Sequence, residues 1–162
     1  MQSGFSADGY IIDQNCFHDY PYRTIRSDCN GCGWIAAYNL RHALGQDAAF
    51  DDVRSEMDGM FLLRIPGPTT MRVMRAYLRR YVTPECTVRR GRAAVRAAAV
   101  SRAGILRYWE EQVPHFVAYV RREDGQFRFF NAADGLEDYF CPMETFIATR
   151  CAHGPLCAIT VS

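Results

Sequence analysis

"SDCNGCGWIAAYNLRHALG", residues 27–45, sets two cysteines three residues apart at the front of one apolar helix. The pattern predicts a helix over residues 32–44, stopped at Gly45, because glycine takes the backbone conformation that ends helices. Its polar positions are only Asn39, Arg41 and His42, so most of its circumference is apolar. A helix of that kind belongs in the middle of a domain rather than on its surface. Asn30-Gly31 makes a turn ahead of it, and Cys32 then sits at the positive end of the helix dipole, where a thiolate is favoured. Small residues at Gly33, Ala36 and Ala37 allow other elements to approach closely.

A cysteine nucleophile also needs a base, and the base needs an orienting partner. Of four histidines, His115 is the distinctive one: it follows Pro114 and opens the strand "HFVAYV". Asn131 lies sixteen residues further on, near the end of "FRFFNA". These two runs are joined through Asp124-Gly125, a strong hairpin signal. Across a hairpin the start of one strand neighbours the end of the next, so His115 and Asn131 are expected at one sheet edge. Asp134 is the reserve orienter. His42 reads as a surface residue, and His18 and His153 have no clear partner.

The remaining elements follow from periodicity and breakers. Helices are expected over residues 50–60, led by Asp47, and over 71–81, where Thr70 caps a run with Met71, Met74, Tyr77, Leu78 and Tyr81 at helical spacing. A short "CTVRRG" and an Ala-rich helix over 93–100 come next. The period then changes to short aromatic and β-branched strands, "GILRYW", "HFVAYV" and "FRFFNA". A short helix at 142–148 and a strand at 156–161 close the chain, while residues 1–27 read as irregular wrapping. Helices first and an antiparallel sheet second is the α+β pattern, here as a single domain over residues 1–162.

Composition limits the function classes. The chain has 162 residues, 49% hydrophobic and 23% charged, a globular balance. A net charge of +1 gives no overall pull toward nucleic acid or membrane, and neither is an expected partner. All nineteen basic residues are arginine, which excludes lysine nucleophiles and Schiff bases. No apolar run approaches the roughly 20 residues that span a bilayer. The N-terminus has no basic region followed by an apolar stretch, so a cytoplasmic, prokaryotic setting is expected. Seven cysteines at irregular spacing are then free thiols rather than a disulfide framework.

A "CG-x-x-A-x-x-N" helix start, then an "H-F/Y-V" strand, then a strand ending in Asn or Asp, resembles the papain-like cysteine peptidase superfamily. The closest likeness is to its compact bacterial C39-like branch. The resemblance covers roughly residues 28–45 and 103–135. It implies a papain-like fold whose N-terminal helical half carries the nucleophile helix and whose C-terminal half is an antiparallel sheet. It also implies a Cys-His-Asn triad of Cys32, His115 and Asn131 acting on a peptide or protein substrate, with no cofactor and no metal; peptide hydrolysis is the favoured outcome, and the same triad supports isopeptide cleavage, side-chain deamidation and transfer to an amine. Papain-like enzymes usually place a glutamine about six residues before the nucleophile to help bind the oxyanion; here that position is Arg26. Asn30 is the best nearby side chain for that role, and Gln14 a more distant candidate. Trp34 and Trp109 are candidates for an aromatic substrate lining, with residues 1–27 and 60–70 supplying the groove.

Other readings of the same residues stand beside this one. The fold could serve as a peptide-binding module without catalysis. Cys29 and Cys32 form C-x-x-C, which suits a redox pair, or a zinc clip if Cys151, His153 and Cys157 complete it. Cys86 and Arg92 match the spacing of a phosphate-cradling loop, but "TVRRG" has no glycine before its last position and no histidine stands ahead of Cys86.

Overall fold

A computed structural model describes residues 4–62, 65–110, 112–132, 139–151 and 156–161. The chain opens with a 3-10 turn (Gln14–Phe17) and a two-residue hairpin, β1 (Pro21–Tyr22) and β2 (Ile25–Arg26). Helices α1 (Ser27–Asn30), α2 (Cys32–Ala43), α3 (Phe50–Asp58) and α4 (Met71–Tyr81) follow. Then come β3 (Thr87–Arg90), α5 (Arg92–Val100), β4 (Ala103–Glu110), β5 (Val113–Arg121), β6 (Phe127–Phe130), β7 (Tyr139–Cys141), α6 (Met143–Arg150) and β8 (Cys157–Val161). Six strands form one antiparallel sheet in the order β3-β8-β4-β5-β6-β7. The architecture is α+β.

Alternation along β4 and β5 splits the sheet between two cores. Ile105, Phe116 and Ala118, with Phe130 and Ile159, face the helical half and pack with Trp34, Ile35, Ala36, Ala37 and Leu40 of α2. The intervening Leu106, Tyr108, Val117 and Tyr119 meet Ala94 and Ala98 of α5 and Met143 and Phe146 of α6. Period-2 strands bury both faces only when helices cover both sides, and here they do. α2 is the centre of the first core: every residue from Cys32 to Leu40 is buried.

Local chemistry explains where the elements start and stop. Gly45 takes φ of +70° just after α2, and the Gly45 and Gln46 amides return to the carbonyls of His42 and Arg41. α4 begins where Thr70 Oγ1 accepts from the Val73 amide at 3.2 Å. α3 is shorter than its apolar pattern, ending at Asp58, and its N-cap is Ala49 rather than Asp47. α6 runs on to Arg150. β3 pairs with β8 at the sheet edge, so residues 87–90 enter the sheet ahead of the aromatic strands.

The N-terminal segment is more ordered than its composition suggests. Asn39 is fully buried in α2, and its amide accepts from the Ile11 N–H and donates to the Ile11 carbonyl, both at 2.8 Å. The β1–β2 turn holds Arg23 and Thr24 at φ of 50° and 65°, a left-handed pair usually left to Asn and Gly. Tertiary contacts hold it. The Arg23 amide bonds Asp58, its guanidinium donates to the carbonyls of Gly67 and Pro68, and it lies 3.7 Å from the Phe61 ring centre.

Candidate active site

The site forms where β6 ends early. β6 pairs with β5 only over Ala118–Arg121, so His115 lies beyond its last residue, opposite Tyr108 of β4. Asn131, just past β6, adopts φ of +59°, a left-handed conformation that asparagine tolerates better than most residues. That turn aims its main-chain carbonyl at the imidazole, and His115 Nε2 lies 2.9 Å from it. A carbonyl only accepts, so Nε2 carries the proton and Nδ1 is left as the basic nitrogen.

Cys32 faces the same ring. Its side chain is close enough to be the strongest of the influences that raise the His115 pKa. The sulfur belongs to a residue 7% exposed, at the first position of α2, and the imidazole is half-buried. Burial pulls the His115 pKa down. The hydrogen bond and charge of Cys32, then the Asn131 carbonyl and the Glu110 carboxylate, outweigh burial and leave it raised. Tyr108 stands edge-on to the imidazole, ring centres 5.6 Å apart, and restricts how the ring can tilt.

The structure therefore brings together Cys32, His115 and Asn131, but the contact from Asn131 is made by its backbone. Its side chain is engaged elsewhere: Oδ1 accepts from the Gln14 amide at 3.1 Å, and Nδ2 donates to Gln14 Oε1 at 3.2 Å. Gln14 Nε2 in turn donates to the Asp28 carbonyl at 2.8 Å. That carbonyl is the acceptor a helical bond from the Cys32 N–H would use. A continuous path thus runs from Cys32 through His115, Asn131 and Gln14 back to the approach to α2.

The other sequence candidates take different places. Asn30 is 8% exposed and its Nδ2 donates to the Gly67 carbonyl at 2.7 Å, tying the segment after α3 to the front of α2. Arg26 is exposed, with its guanidinium 3.2 Å from Asp28 and 3.6 Å from the Cys29 sulfur. Trp34 does not line a groove. It is fully buried, and its Nε1 donates to Ser27 Oγ at 3.0 Å, because the indole fills the core between α2 and the N-terminal segment. Trp109 is half-buried beside Arg107, whose guanidinium is 5.8 Å from its ring centre.

His18 has a partner that its sequence context did not suggest, Asp28 Oδ2 at 3.1 Å. His42 is more than a surface residue: Nε2 lies 2.7 Å from the Asp8 carbonyl and the ring stacks on Tyr38. Cys29 is exposed and Cys32 buried, both free thiols. Among the described residues no three His, Cys, Asp or Glu side chains gather as metal ligands; His153 and Asp134 lie outside those residues. Burial pushes the thiols of Cys86 and Cys141 up, and that of Cys151 up to about 12.

Next to the site is an open hollow of about 400 Å³, lined by Thr69, Met71, Arg90, Arg107 and Cys157 among others. Thr69 packs directly on Gly33, the residue after Cys32: a Cβ at that glycine would lie 2.1 Å from Thr69 Oγ1. Arg107 is paired opposite Phe116, the residue after His115. The hollow thus lies beside Gly33, the residue after Cys32, on the sheet face that carries Phe116. Nothing in the spacing of "PGPTT" announces Thr69, because its proximity is created by tertiary packing.

No protein-family model, curated protein or solved structure matches this chain. Among the described residues no helix is long and apolar enough to cross a membrane.

Proposed function

We propose that this protein is a cysteine hydrolase of papain-like, C39-like architecture that cleaves amide bonds in peptide or protein substrates. The observation that carries the reading is the imidazole of His115 held between the Cys32 side chain and the Asn131 carbonyl. Cys32 passes its proton to His115 Nδ1, and the sulfur attacks the amide carbonyl carbon to give a tetrahedral adduct. The negative oxygen is met by the Cys32 N–H and by the second Nε2 proton of Gln14, whose first is held on the Asp28 carbonyl. His115 then protonates the leaving amine as the C–N bond breaks, which leaves a thioester on Cys32. Water adds to the thioester with His115 taking its proton, and the carboxylic acid product departs with the thiol restored. Asn131 and Tyr108 keep the ring in the plane this exchange requires.

The test is selective alkylation combined with a peptide digest. One equivalent of iodoacetamide at pH 6 labels Cys32 ahead of the other six thiols, and His115→Ala abolishes that preference. Peptide-library cleavage read by mass spectrometry is lost in Cys32→Ala and in His115→Ala. Labelling without preference, or cleavage that survives Cys32→Ala, overturns the assignment.

A further inference from the structure

The charge of this chain is balanced overall but not in space. Residues 59–109 hold eleven of the nineteen arginines and a single acidic residue, Glu85. On α4, Arg72, Arg75 and Arg79 are spaced so that they fall along one stripe, while Met74, Tyr77 and Leu78 occupy the buried side. Together with Arg90 of β3 they border a second hollow of about 400 Å³, which Met71, Ala76 and Val88 also line. That hollow shares Met71 and Arg90 with the one beside Gly33, so the two adjoin along the groove between α4 and β3.

Among the described residues the two hollows are lined by arginines and by no acid. Their linings include five arginines, and among the described residues none of the five forms an ion pair. Elsewhere the molecule pairs its arginines readily, as in Arg41–Glu56 and Arg54–Asp51. At the other end Arg107 lines the hollow beside Arg90. Guanidinium groups offer forked donors that fit carboxylates two bonds at a time. Among the described residues neither hollow is lined by an aromatic ring, the element on which unpaired nucleobases stack.

We infer that the groove between α4 and β3 binds an acidic stretch of the polypeptide substrate, with Arg72, Arg75, Arg79 and Arg90 on its carboxylates and Arg107 at the end nearer Gly33. The inference rests on the hydrolase reading for the position of the cut, but binding in the groove does not depend on catalysis. Substrates are then selected by Asp and Glu residues lying on one side of the scissile bond. Attraction over the length of the groove steers them into it and weakens as salt rises.

The test uses the full chain carrying Cys32→Ala and a fluorescent ten-residue peptide of alternating Glu and Ala, followed by anisotropy. The expected result is saturable binding that weakens at least tenfold between 50 and 500 mM salt. Replacing every Glu by Gln should weaken it by a similar factor, as should Arg75→Glu combined with Arg79→Glu. Should that charge-reversed chain fail to fold by circular dichroism, Arg75→Gln and Arg79→Gln, each a surface neutralisation, should each weaken binding about threefold. Equal affinity for the Glu and Gln peptides overturns the proposal, as does unchanged affinity in the arginine variants. Tighter binding of a single-stranded oligonucleotide through the same arginines also overturns it. Failure of the native chain to cleave acidic peptides that the Cys32→Ala chain binds through these arginines would instead count against the hydrolase reading alone.

Discussion

His115 Nε2 meets the main-chain carbonyl of Asn131 at 2.9 Å, while the Asn131 side chain turns away to Gln14. The orienting group of the imidazole is therefore a backbone atom, placed by a left-handed residue at the end of β6. Substitutions at residue 131 should act through φ and through Gln14, and not through loss of a side-chain acceptor to the histidine. Asn131→Gly keeps the carbonyl and the positive φ, so it should lower kcat no more than about tenfold. Asn131→Ala adds the left-handed penalty of about 1 kcal/mol and should reduce both stability and kcat further. Urea denaturation and steady-state kinetics on the two variants distinguish them; equal, severe losses would mean that the side chain itself orients the ring.

The charge state of His115 gives a second test. Its pKa is raised in the folded protein, with Cys32 supplying the strongest of the raising influences and burial opposing them. A raised folded pKa means that protonating His115 favours the folded state. That contribution is complete below the unfolded imidazole value of about 6.5 and fades as pH rises through the folded value. In Cys32→Ala the opposing burial is less well balanced, so the pKa should fall. An NMR titration of the His115 ring should therefore show a midpoint above the ordinary imidazole value in the native chain and a lower one in Cys32→Ala. The alkaline fall of kcat should follow the higher value, because the leaving amine needs the imidazolium.

Gln14 supplies the third. With its carbonyl bound to Asn131 and one N–H on the Asp28 carbonyl, its amide is fixed on both sides. Gln14→Ala should reduce kcat by about 100- to 1,000-fold, the usual effect of removing one oxyanion donor, with KM little altered. Gln14→Glu should be at least as harmful, since it sets a negative charge beside the developing oxyanion. If both variants keep native kcat, Gln14 is a structural bridge only.

Much of the site follows from features that a linear chain displays. α2 announces itself because its polar positions are only Asn39, Arg41 and His42, and the structure buries every residue from Cys32 to Leu40. The hairpin distance between His115 and Asn131 likewise follows from Asp124-Gly125 and strand length. Gln14 was recognisable only as a distant candidate, because its position depends on how the N-terminal segment lies against β6, a contact 117 residues apart in sequence. The Asn131 carbonyl carries no side-chain signature at all. Trp34 misleads for a related reason: an aromatic residue near a nucleophile suits a groove and a core equally well, and only burial separates the two. The turn at Arg23 and Thr24 is invisible for want of Gly or Asn, since Asp58 and the 67–68 carbonyls impose it.

The close approach of Gly33 and Thr69 yields the last prediction. A methyl group at residue 33 would sit 2.1 Å from Thr69 Oγ1 and 2.5 Å from its Cβ, too near for any rotamer change to relieve. Thr69 cannot simply withdraw, because its hydroxyl lies 2.8 Å from that of Tyr22, and Arg23 and Asn30 hold the adjoining carbonyls. Gly33→Ala should therefore cost about 1–3 kcal/mol, the range for overpacking a close-fitting site. In a chain of this size that lowers Tm by roughly 2–4 °C for each kcal/mol. It should also slow alkylation of Cys32, whose helix start is pushed off the 67–70 segment. Thr69→Gly removes the opposing atoms, so the double variant should be more stable than Gly33→Ala alone, and the cycle should show a coupling of at least about 0.5 kcal/mol. Strictly additive losses in calorimetry would mean that the two residues do not meet in solution, and the hollow beside Cys32 would then lack the wall described for it.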